Sequence, residues 1–226
     1  MNKKDIKPFQ FCTRQNLTYL TGQKARTLKE LYLGIKEASC STIYCHTHYF
    51  LQQHEFMSPE PRNDFSYWIR NSLQDKLLGE MVASIDFWNC LSIEEIQKTL
   101  IETIENVLPK YAENDRTVPE GEEFHFMEAQ TFVFQTKHLA YDLNKFLVLL
   151  ENVSIVSIYH HMFESRLRLK RNTTDFSQWL KEELEEEELS EEFIKLDPYT
   201  FTLDNLRKHL ARLVRTRLKE ITDGSS

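Results

Sequence analysis

Glycine and proline are scarce in this chain of 226 residues, at five and six. So few turn-formers exclude a loop-rich or collagen-like chain and leave material for long helical stretches. Cysteine is confined to Cys12, Cys40, Cys45 and Cys90, with no CxxC pair. That excludes a disulfide-stapled scaffold and suits packed thiols in a reducing compartment. Basic residues are outnumbered, giving a net charge of -7, which argues against general nucleic-acid binding because phosphate neutralisation needs a broad basic field. No stretch approaches the roughly 18 apolar residues of a membrane span. Met1 to Phe11 carries lysines without an apolar run behind them, so it is not a secretory signal, and the expected setting is the cytoplasm. A Gly-x-Ser-x-Gly elbow and a glycine-rich phosphate loop are also missing, which weakens hydrolase and nucleotide readings.

What is present is a set of blocks that recur in order. Ile43-Tyr44-Cys45-His46 returns as Ile158-Tyr159-His160-His161, and Asp64-Phe65-Ser66-Tyr67-Trp68 returns as Asp175-Phe176-Ser177-Gln178-Trp179. Upstream, Phe9 to Thr13 resembles Phe132 to Thr136. Ordered blocks at a spacing of about 110 to 120 residues point to an internal tandem duplication.

Each copy reads as a short extended piece followed by about five helices. Leu28, Leu31, Tyr32 and Ile35 recur at helical spacing, and Ser92-Ile93-Glu94-Glu95 is a capping box. In the last helix, Leu203, Leu206, Leu210, Leu213 and Leu218 supply an apolar stripe. Phe65, Tyr67, Trp68, Phe176 and Trp179 are read as core anchors, and the Ser58 to Pro61 loop as a stiff turn. The expected fold is all-α, mainly helical with minor short strands, as two similar helical repeats packed about a pseudo-two-fold axis. The expected division is 1–109 for the first repeat, 110–123 for a linker carrying Pro119 and Gly121, and 124–226 for the second.

Thr42-Ile43-Tyr44-Cys45-His46-Thr47-His48, Phe50-Leu51-Gln52-Gln53-His54, Ser58-Pro59-Glu60-Pro61, Asn63-Asp64-Phe65, Pro119 to Phe126 and Leu196-Asp197-Pro198-Tyr199 together resemble an uncharacterised bacterial domain-of-unknown-function family. The likeness covers nearly the whole chain and implies no reaction, cofactor or catalytic residue.

Chemistry concentrates in the second helix of each repeat. His46, His48 and His54 stand in one copy, and His160, His161, Glu164, Arg166 and Arg168 in the other. His46 and His54 lie too far apart along a helix, about 12 Å, to share one metal ion alone. A divalent metal would need a set such as His46, His54, His161 and Glu164 drawn from both copies. The ligand-binding candidates are His46, His48, His54, His161, Glu164, Arg166 and Arg168, the arginines because their forks suit phosphate or carboxylate. The function expected is a cytosolic binding or regulatory protein, with a small ligand or protein partner at the junction of the repeats and homo-oligomers allowed. The alternative is a metal-dependent or acid-base enzyme using the same His/Glu cluster. The plainer reading is partly buried histidines that hydrogen-bond within the fold.

Overall fold

A computed structural model describes residues 6–54, 62–87, 89–111, 116–196 and 202–224. The Ser58 to Pro61 loop and Asp197 to Tyr199 lie outside the described residues, as do the side chains of His54, Arg168 and Leu203.

Two long strands, β1 (Phe9–Ala25) and β2 (Phe124–Ala140), pair as a two-stranded sheet. Thr131 donates to Asn16 Oδ1 at 2.8 Å, and Gln10 Nε2 donates to the Thr136 carbonyl at 2.7 Å, so the strands run antiparallel. The all-α expectation with minor short strands is therefore wrong, and the fold is mixed. At 17 residues each strand is about three times the usual length of ~5–6. The length of the strands escapes a period-two reading because the alternation of buried aromatics is confined to their starts, at Phe9 and Phe11 and at Phe124 and Phe126. Further along, most side chains are exposed and of mixed polarity, so no half-buried pattern survives.

After β1 come α1 (Leu28–Glu37), α2 (Cys40–Tyr44), α3 (Phe50–His54), α4 (Asp64–Asn71), α5 (Lys76–Ala83) and α6 (Ile93–Glu105). After β2 come α7 (Leu143–Asn152), α8 (Ile155–Tyr159), α9 (Ser165–Leu169), α10 (Asp175–Glu182), α11 (Glu187–Lys195) and α12 (Leu203–Asp223). Side-chain oxygens start most of them. Thr27, Ser39, Asn63, Asp75 and Ser92 each accept an amide two or three residues into their helix, and Asp142, Ser154, Thr174 and Thr202 do the same later. The expected capping box at Ser92 is altered in detail: Glu95 turns back to the Leu91 amide at 2.6 Å.

Between α2 and α3 the chain makes one π-helical turn, Cys45–Tyr49, and between α8 and α9 another, His160–Glu164. Such turns shift the helical phase and re-aim the side chains they carry, and they recur at functional sites. Here they carry His46 and His161.

The chain falls into two compact units. The inner unit is residues 16–131, and the outer unit joins residues 1–15 to 132–226. Each unit thus owns part of both strands. In the outer unit the core gathers Phe9, Phe11, Phe146, Tyr159, Met162, Phe176, Leu180, Phe193, Leu206 and Leu210. In the inner unit Leu28, Leu31, Ile35, Ile43, Phe65, Ile69, Val82, Ile96, Leu100 and Phe126 are buried. Among the described residues no helix is long and apolar enough to cross a membrane.

Candidate functional site

In the outer unit, Nε2 of His161 accepts the Cys12 amide at 2.8 Å, and its Nδ1 lies 2.7 Å from Asp175 Oδ2. A nitrogen that accepts an N–H carries no proton, so the imidazole is neutral and its Nδ1–H donates to Asp175. Asp175 occupies the first helical position of α10, behind the Thr174 cap, where the helix dipole favours a carboxylate. One imidazole thereby fastens β1 to α10 through the π-turn.

The inner unit makes the same three-part clamp. Nε2 of His46 accepts the Met127 amide at 2.9 Å, and Nδ1 lies 2.6 Å from Asp64 Oδ2, with Asp64 opening α4 behind the Asn63 cap. Other bonds are matched as well. Trp68 Nε1 donates to the Glu122 carbonyl at 2.7 Å, and Trp179 Nε1 to the Lys7 carbonyl at 2.8 Å. Thr21 donates to the Phe126 carbonyl at 2.9 Å, and Thr136 to the Phe11 carbonyl at 2.7 Å. Phe9 and Phe11 pack on His161 as Phe124 and Phe126 pack on His46. The counterpart of Phe9 to Thr13 is therefore Phe124 to Glu128, displaced from the Phe132 to Thr136 block that composition alone suggests.

Against this shared frame three neighbouring positions differ together. In the outer unit, Arg14 Nε lies 2.9 Å from Glu164 Oε2, the same oxygen lies 3.0 Å from His160 Nδ1, and the Arg14 guanidinium sits 5.1 Å from the centre of the Tyr159 ring. All three of Arg14, His160 and Glu164 are buried. Placed alike relative to the clamp histidine and the clamped amide, the inner unit has Ala129, Cys45 and Tyr49. Burial pushes the Cys45 thiol up to about 12, aided by the charges of Asp64 and Glu128, so it stays protonated at neutral pH. The Glu128 carboxyl is held below its ordinary range by hydrogen bonds from Ser39 and Tyr19, with Thr42 adding to them.

A cleft of about 550 Å³ opens over the outer cluster, lined among others by Lys7, Phe9, Cys12, His160, His161, Asp175 and Trp179. Glu182 and Glu183 also line it. One ligand atom from each of His160, His161 and Asp175 lies within 4.8 Å of the other two.

The family profile for a family of unknown function, DUF5752, matches residues 6–215. The chain belongs to DUF5752. No curated protein matches it. The structure of OrfY from Thermoproteus tenax is similar in fold, with a TM-score of 0.79 at 23% identity, covering 93% of this chain and 95% of that one.

Within this DUF5752 fold the residues expected to form the site are divided between the two units. His46 is the inner clamp; His48, also in the inner unit, is buried with Thr47 at 3.3 Å and its ring stacked on Tyr44 and Phe87. His161, Glu164 and Arg166 are buried in the outer unit. His54 and Arg168 reach the ends of α3 and α9, with side chains outside the described residues. Sequence reasoning missed Arg14 and the role of Asp64 and Asp175. The recurrence of Asp-Phe-Ser-x-Trp is the available signal for the aspartates, since it places Asp64 and Asp175 alike in the two copies.

Proposed function

We propose that this DUF5752 protein is a cytosolic binding or regulatory protein, built by duplication of one helical unit and specialised in its outer half, whose ligand occupies the cleft above His160 and His161. The observation that carries this reading is the joint exchange of three contacting residues. Where the inner unit has Ala129, Cys45 and Tyr49, the outer unit buries Arg14, His160 and Glu164, of which His160 lines the cleft. Burying an Arg–Glu–His set is expensive in desolvation and brings little net stability over apolar packing. The clamp repeats in both halves and needs no such set, so the set serves something other than the frame.

The cleft has the mixed lining of an ordinary ligand site, with an apolar wall of Phe9 and Trp179 and a few convergent polar groups. Thermal-shift screening of small metabolites against the full chain tests the reading. A ligand that raises the melting temperature of the wild type and does nothing for R14A/H160C/E164Y, which installs the inner set, supports it. Ligands that stabilise both proteins equally contradict it. A second reading, proton-transfer catalysis by His160, is favoured by the Glu164 carboxylate that orients its imidazole. Turnover of a bound ligand, lost in H160Q with binding retained, distinguishes it.

A further inference from the structure

The geometry points to a divalent transition-metal ion, zinc or cobalt in kind, bound by His160, His161 and Asp175 at the floor of the outer cleft; this deepens the cleft reading above and rests on it. Ligands around such an ion stand roughly 3–4 Å apart when each lies ~2.0–2.2 Å from the metal, so three atoms within 4.8 Å of one another need only small shifts, with His161 Nδ1 and Asp175 Oδ2 moving apart from their 2.7 Å hydrogen bond. Two imidazoles with one carboxylate suit zinc or cobalt over magnesium or calcium, which prefer all-oxygen shells. His160 already has the support that metal-binding histidines have: Glu164 holds its Nδ1 at 3.0 Å and is itself held by Arg14. With Nδ1 so held, Nε2 is the nitrogen assigned to the metal. The inner unit is a built-in comparison. It has the His46–Asp64 pair but places Cys45, a protonated buried thiol, at the His160 position, and among the described residues no such three-ligand group forms there.

Coordination has a consequence for the clamp. Binding metal through Nδ1 of His161 moves that nitrogen's proton to Nε2, the atom that accepts the Cys12 amide at 2.8 Å. Two donors then face each other, and the amide loses its acceptor. The metal-free clamp and the metal site are thus alternative states of one imidazole, and metal uptake loosens the start of β1 while the His46–Met127 clamp stays closed.

Tag-free full-length protein titrated with Co²⁺ alone, followed by visible d–d absorption, and with Zn²⁺ alone, followed by calorimetry, tests the site. One equivalent per chain is expected, weakened at least tenfold in H160Q and in D175N and unchanged in H46Q, each variant first shown folded by circular dichroism. Amide exchange at Cys12 should speed up at least tenfold on zinc addition while Met127 is unchanged. Absence of binding at millimolar metal, binding that survives H160Q, or binding lost in H46Q overturns the site. Binding without faster exchange at Cys12 overturns the coupling. The metabolite screen repeated in EDTA separates the two readings: a ligand shift that persists there but vanishes in R14A/H160C/E164Y keeps the cleft and removes the metal.

Discussion

The backbone amide of Cys12 donates to the ring of His161 at 2.8 Å, joining residues 149 positions apart in the chain. The amide of Met127 makes the same bond to His46 at 2.9 Å. Long-range polar bonds of this kind fix a strand on a helix more specifically than apolar contact does, because both the angle and the tautomer must be right.

Removing either imidazole takes the ring acceptor from a strand amide and the ring donor from an aspartate at once. H46A and H161A should each lose about 2–4 kcal/mol, from the unmade hydrogen bonds and the cavity together. Urea unfolding of the two variants measures this, and a loss below about 1 kcal/mol in either, the scale of one ordinary hydrogen bond, contradicts a clamp.

The outer charged set should behave as one unit. R14A removes the guanidinium that lies 2.9 Å from the buried Glu164 carboxylate, a break that typically costs about 3–5 kcal/mol. The triple change R14A/H160C/E164Y removes the whole set, so its loss should fall well short of the summed single losses. Chemical denaturation of the four proteins supplies the numbers; simple additivity would separate the three residues energetically.

Gly34 lies in α1 against the ring of Phe126, and a Cβ there would overlap that ring. Phe126 is itself pinned between Phe124 and His46. G34A should therefore destabilise the protein by about 1–3 kcal/mol through overpacking, in spite of the better helix propensity of alanine. A higher melting temperature in G34A would show that the ring yields.

Thiol chemistry should divide by burial. Cys40 is exposed, whereas Cys45 is buried with its thiol raised to about 12. At pH 8, iodoacetamide should label Cys40 and leave Cys45 untouched in the folded protein, as peptide mass mapping would show. The sign of the stability effect follows from the same shift. The unfolded thiol ionises near 9 and the folded one near 12, so the folded state holds the extra proton between them. This contribution is whole below pH 9 and falls away as the pH rises toward 12.

Much of the helical layout is legible in the sequence because caps and apolar spacing act locally. Asn63, Thr174 and Ser92 announce their helices, and Leu206 and Leu210 their buried face. The strands are legible only as short extended pieces, since beyond Phe9, Phe11, Phe124 and Phe126 β1 and β2 run through exposed residues of mixed polarity. The histidines could be found as a cluster. Their roles could not, because each role is set by a partner far along the chain: Cys12 and Asp175 for His161, Arg14 by way of Glu164 for His160. Spacing along one helix could separate His46 from His54 but could not name the partners of His46, which the structure shows to be Asp64 and the Met127 amide.

The protonation state of the two clamp histidines tests this account most directly. Long-range ¹⁵N–¹H correlation of the imidazole nitrogens in metal-free protein at neutral pH should show His46 and His161 both neutral, with the proton on Nδ1 and none on Nε2. A proton on Nε2 of either ring would mean that its strand amide has no acceptor there, and the clamp would have to be abandoned.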